Sequence, residues 1–116
     1  MIAALYHLAN PEDTVTIDSN NEYTVASLHS EGFIHCCTED QLTGVVQRYY
    51  QQAQQLVLLS INPDKLTAKL VFENTVGGSE LFPHIYGPIN AAAIESQQHW
   101  KRSDIEQRLA DGPAES

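Results

Sequence analysis

The sequence predicts an α+β fold, a small sheet with two to three helices, and three observations carry that prediction. A chain of 116 residues that is 42% hydrophobic is long enough for one core and too short for two ordinary domains. Its apolar runs, "IAALYHLA", "FIHCC", "QLVLLSI" and "AKLVFEN", have strand length and are bounded by Gly, Pro and Asn. Strong helical periodicity occurs in one segment only, Leu42, Val45, Val46 and Tyr49. The expected organisation is a single compact domain over 1–110 with a frayed tail over 111–116.

Taken in order, "IAALYHLA" reads as a mostly buried first strand with His7 near its end. "NPEDTVTIDS" starts a short helix, with Asn10 at the cap, Pro11 at the first helical position and two acids in the first turn. Residues 19–32 are polar and irregular, with a turn of helix near Ser27–Ser30 before Gly32 reverses the chain. "FIHCC" is the second strand. Thr38 and Gln41 form a capping box, so a helix is expected over 39–52.

"QLVLLSI" reads as a buried central strand, stopped at "NPDKL", where Pro63 begins a turn or a single helical turn. "AKLVFEN" is a further strand. "TVGGSELFPHIYGPI" carries too many Gly and Pro for a central strand, so residues 82–86 are expected to be a short extended piece within a loop. "AAAIESQQHWK" reads as a last strand, with helix as the competing reading because Ala and Gln favour it, and a short helix follows at 103–110.

The net charge of −9 excludes nonspecific nucleic-acid binding and disfavours anionic membranes, and no apolar run reaches the length of a spanning helix. The N-terminus lacks basic residues ahead of its apolar stretch, which predicts a cytoplasmic protein. Cys36 and Cys37 are adjacent and cannot cross-link distant segments, so reduced thiols are expected.

The candidate chemistry lies in three histidines on three short extended segments, His7, His35 and His84. Each alone reads as a hydrogen-bonded core residue. Together they require many polar partners in a small core, or else they gather around one site. A metal site with Cys36 or Cys37 is a weaker alternative, because no C-x-x-C or H-x-x-x-H spacing is present. A cysteine nucleophile would need its thiol activated by the helix start at Thr38, whose N–H groups also offer a seat for an anion. Glu73 and Glu80 flank the "VGG" loop, and Glu80, the nearer in sequence to His84, is the candidate for proton transfer or for a ribose hydroxyl. Gly77 and Gly78 could let the backbone approach a ligand.

"LYHLA", "SLHSEGFIHCCTEDQ", "LVLLSINPDKL" and "GGSELFPHIYGPI" together resemble the domain of unknown function 952 family, over about residues 4 to 95. The resemblance implies a fold similar to the ADP-ribosyltransferase superfamily, a small split mixed β-sheet whose cleft holds NAD or an ADP-ribose-like ligand. By position it implies His7 for the ribose contact, Phe82 or Tyr86 for the ring that stacks on nicotinamide, and Glu80 for the acid. The S-T-S element and the Q-x-E pair of that superfamily are missing, so its ordinary transfer mechanism is not implied. The expected site therefore has His35, His84 and Glu80 as catalytic groups and His7, Ser27, Thr38, Phe82 and Tyr86 as ligand contacts, with no metal. Its ligand is an NAD-like or other phosphorylated nucleotide. Whether an enzyme or a noncatalytic protein-binding module results is left open by the residues.

Overall fold

The computed structural model describes residues 4–74 and 77–111. The start of the expected first strand, part of the glycine loop and most of the expected tail lie outside them. Its main sheet has the order β1-β4-β8, with β1 (Leu5–Ala9), β4 (Gln55–Ile61) and β8 (Ile94–Lys101) paired antiparallel. β4 is central, which explains its nearly continuous apolar run: both faces of the strand are covered. Leu56 and Leu58 join Leu8 and Trp100 in one core; Val57, Leu59 and Ile61 join Leu5 and Ala9 in the other.

The first core is closed by two helices, α3 (Glu39–Tyr49) through Leu42 and Val46, and α4 (Arg102–Asp111) through Ile105. Gln41 Oε1 accepts the Thr38 N–H at 3.0 Å, which forms the expected cap. β8 is a strand despite its alanines and glutamines, because pairing along β4 outweighs a modest helical preference. The alanines occupy a 3-10 turn just ahead of it.

The second core lies between the main sheet and a smaller one of order β3-β6-β5, made from β3 (Ile34–His35), β5 (Lys69–Glu73) and β6 (Phe82–Tyr86). Here the structure corrects a reading, since 82–86 is the central strand of this sheet and not a piece of loop. Pro83 is tolerated because its missing N–H falls where β3 leaves the ladder. Its carbonyl accepts from Cys36 N–H at 3.0 Å, and the next residue, Cys37, turns to another partner.

A two-residue ribbon pairs β2 (Glu22–Tyr23) with β7 (Ile89–Asn90), and in chain order α1 (Val15–Asn20) precedes β2 and α2 (Ala26–Ser30) follows it. The first turn after Asn10 is a 3-10 helix over Pro11–Thr14 that runs into α1. Two further expectations change. All strand ladders among the described residues are antiparallel, so the sheet is not mixed, and there are four α-helices rather than two to three.

Among the described residues the backbones of the two sheets pair at one point. Tyr6 and Cys37 exchange both backbone hydrogen bonds, each at 2.8 Å, in an antiparallel bridge. Among the described residues that is the single bridge between β1 and the β3 segment, and beyond it the two chains part.

Candidate functional site

A cavity of about 450 Å³ opens where β1 and β3 part. Tyr6 to Asn10 and Asp13 form one wall, His35 to Cys37 another, and Tyr23, Ser27, Tyr49, Tyr50, Phe82 and His84 complete the enclosure. No Lys or Arg among the described residues lines it, and Asp13 brings a carboxylate.

His7, Ser27, His35, Phe82 and His84 of the expected site line this cavity, whereas Thr38, Glu80 and Tyr86 do not. Thr38 is occupied in starting α3. Glu80 accepts from Gln41 Nε2 at 3.2 Å, well away from the histidines in bonding terms, and Gly77 and Gly78 also lie outside the cavity lining. Ser27 Oγ donates to the Phe33 carbonyl at 3.0 Å.

The carboxylate at His84 is Glu73. In the β5–β6 register Glu73 lies opposite Phe82 and Val71 opposite His84, so Glu73 is the diagonal neighbour of His84 across the ladder. Proximity in sequence favours Glu80, but strand register brings Glu73 to His84.

The three imidazoles have different environments. His7, 7% exposed, sits on β1 with its Nδ1 2.5 Å from the His35 carbonyl and its Nε2 2.8 Å from the Tyr23 hydroxyl. A carbonyl only accepts, so Nδ1 carries the proton, Nε2 is the acceptor, and Tyr23 donates to it. Burial, outweighing the bond to His35, lowers the His7 pKa to about 4, so the ring is neutral near pH 7. Burial also pushes the Tyr23 hydroxyl above its usual range, which keeps it a donor.

His84 is 3% exposed, and its ring lies flat on Phe33 with centroids 4.2 Å apart. Its Nδ1 is 2.9 Å from Glu73 Oε2, and Tyr86 donates its hydroxyl to the same oxygen. The Tyr86 hydroxyl, then the His84 ring, hold the Glu73 carboxyl below its usual range. An ionised carboxylate only accepts, so Nδ1 of His84 is protonated. Its Nε2 has no hydrogen-bond partner among the described residues.

His35 lies directly opposite His84 in the β3–β6 ladder, with ring centroids 5.2 Å apart and edge to face. It is exposed, and Nε2 meets Glu31 Oε1 at 2.6 Å.

Cys36 and Cys37 are among the lining residues, yet both are buried and neither thiol is activated. Burial, then the neighbouring Cys37, pushes the Cys36 thiol far up, and burial pushes Cys37 up to about 12. This removes the physical ground for a cysteine nucleophile at neutral pH. Among the described residues no three His, Cys, Asp or Glu side chains gather as a metal site, and no helix is long and apolar enough to cross a membrane.

Sequence reasoning missed Glu73 as the partner of His84, and Tyr23 and Asp13 altogether. Alternation along "AKLVFEN" and "FPHIY" held the signal for Glu73, once the two were paired as a hairpin. Tyr23, on a two-residue strand in a polar stretch, left no signal of its own.

A family described as "Protein of unknown function (DUF952)" has a model that matches residues 8–97. No curated protein matches. The chain is similar to the crystal structure of protein CC0527 from Caulobacter crescentus, with a TM-score of 0.74 and 21% identity, covering 84% of this chain and 85% of that one. The solution NMR structure of CC0527 gives a TM-score of 0.65 at 21% identity, covering 83% of each chain. At such identities the likeness establishes a shared fold and nothing about ligands.

Proposed function

The chain belongs to the DUF952 family, and from that premise and the geometry of the cleft we propose that it binds a small aromatic ligand of nucleoside size, as an NAD-like molecule or related nucleotide would present. The observation that carries this reading is the cavity at the split between the sheets. Its volume of about 450 Å³ falls in the range of small-molecule sites, and its lining pairs aromatic rings with a few buried polar groups.

The lining also says which part of a nucleotide belongs inside. With Asp13 present and no Lys or Arg among the described lining residues, a pyrophosphate gains nothing from entering. The base or nicotinamide ring and its ribose fit the tyrosines, Phe82 and the histidines, and phosphates remain at the mouth, in water. Two buried free thiols suit a reducing compartment such as the cytoplasm.

The test is titration of the purified protein with adenosine, nicotinamide riboside, NAD and ADP-ribose while histidine ring resonances are followed. The expected result is movement of the His35 and His84 signals by the nucleosides at least as readily as by the phosphorylated ligands. No movement at millimolar concentration would remove the reading.

One observation favours a second reading for part of the site. Both nitrogens of His7 are satisfied by protein atoms, which makes that ring a structural member, as a noncatalytic interaction module with knitted histidines would have it. In such a module His84→Asn leaves partner binding intact; in the ligand site it abolishes the nucleoside shifts in a folded protein.

A further inference from the structure

We infer that His84, held by Glu73 and Tyr86, is a proton-transfer group of the cleft, which makes the site catalytic as well as ligand-binding. The proposal rests on the reading of the cleft as a small-molecule site and deepens it. Its starting point is an inequality between two buried imidazoles. His7 has partners on both nitrogens. His84 is more buried still, 3% exposed, yet among the described residues only its Nδ1 is engaged, by Glu73 at 2.9 Å. A buried polar atom without a partner is uncommon and needs a reason, and a lining position on an open cavity supplies one: Nε2 is kept for what enters.

Three further observations point the same way. Glu73 fixes the tautomer with the proton on Nδ1, so Nε2 presents a lone pair. Phe33 stacks on one face of the ring and fixes its plane. Tyr86 donates to the same Glu73 oxygen and so anchors the carboxylate that anchors the ring. Carboxylate, imidazole and free Nε2 in that order are the arrangement of an oriented general base.

In the step this allows, Nε2 takes the proton from a water or a ligand hydroxyl as that oxygen bonds to an electrophilic centre of the ligand. The bond to the leaving group breaks, the leaving group keeps the electron pair, and the imidazolium returns the proton to it. Glu73 stays ionised throughout. His84 is the catalytic residue; Glu73 and Tyr86 are positioning residues.

Two measurements test this without a known substrate, so they can fail separately from the nucleoside titration. The first reads the nitrogen shifts of the ring: wild type and Glu73→Gln keep the proton on Nδ1, because both side chains accept there, whereas Glu73→Leu shows a mixture of tautomers. The second is acylation by diethyl pyrocarbonate, mapped by mass spectrometry, in which Nε2 attacks the reagent carbonyl and an ethyl carbonate departs to carbon dioxide and ethanol. His84 is expected to be modified in the native protein along with exposed His29 and His99, and His7 to be spared. Tyr86→Phe, at a partly exposed position that leaves the fold intact, and Glu73→Leu each slow the His84 modification severalfold without changing that of His29 or His99. A wild-type ring protonated on Nε2, or a native His84 as inert as His7, would overturn the proposal. So would a Glu73→Leu variant that lowers the melting temperature and leaves tautomer and acylation rate unchanged.

Discussion

Lowering the pH from about 7 to about 5 should weaken the fold through His7 alone by about 2 kcal/mol. In the unfolded chain this imidazole titrates near 6.5, and burial brings it to about 4 in the folded protein. The unfolded state therefore takes up the proton first. The stability His7 contributes as a neutral ring is fully present above the unfolded value, is lost as the pH falls through it, and levels off only below the folded value. The whole difference corresponds to about 3 kcal/mol, at about 1.4 kcal/mol per pH unit, and most of it falls within the chosen interval. That interval lies above the range of most carboxylates, and Glu73, held below its usual value, is further removed from it. The assay is urea unfolding of wild type and His7→Gln at both pH values. Glutamine can donate to the His35 carbonyl and accept from Tyr23, but it does not titrate. The other histidines are common to both proteins, so the wild type should lose about 2 kcal/mol more than the variant between the two conditions. Equal losses would refute the reasoning, as would a folded-state titration by NMR that places the His7 ring near the unfolded value.

Three further outcomes follow from packing and burial. Ile85→Ala removes a fully buried side chain from the core between the two sheets and should cost about 2–5 kcal/mol in denaturant unfolding. Gly87 has a φ of +158°, which L side chains rarely adopt, and a methyl there would lie 2.9 Å from Ala68 Cβ, so Gly87→Ala should cost about 1–3 kcal/mol from the contact with a backbone penalty on top; an Ala68→Gly background, which relieves only the contact, should recover part of the loss, and full recovery would refute the backbone share. Cys36 and Cys37 should ignore a disulfide-exchange reagent in the native protein at neutral pH and react only as fast as it unfolds, since burial raises both thiols far above their ordinary values.

The elements legible in the sequence are those whose signal is local. β4 was fixed by a run of branched apolar residues between Gln and Asn, and α3 by its cap and its periodic apolar stripe. The misread elements depend on partners far away in the chain. Pro83 argues correctly that one neighbour cannot bond residue 83 through its N–H, but it does not tell that the loss falls at the end of a ladder, which is why β6 still sits at the centre of its sheet. β2 and β7 have two residues each, too short for any period to emerge. The same division holds in the site. Three histidines on extended segments were visible one by one; that they line one cavity, and that Glu73 rather than Glu80 meets His84, is set by strand register, which no window of sequence contains.

Register also explains why the cavity lies where it does. Had the Tyr6–Cys37 bridge continued, the next bonded pair in that antiparallel ladder would have joined Leu8 to His35. Instead β1 leaves, and the part-buried His35 carbonyl would be left without a strand partner at the split. His7 Nδ1–H occupies that place at 2.5 Å, standing in for a strand N–H, while Tyr23 satisfies the far side of the ring. A neutral imidazole thus holds the sheets apart by satisfying the edge that would otherwise close. The wedge it leaves open is the space onto which His84 presents Nε2, so His7 acts on the chemistry of the cleft only by keeping the cleft in existence. His7→Gln, which can make both bonds, should preserve nucleoside binding; His7→Leu, which can make neither, should lose binding together with stability.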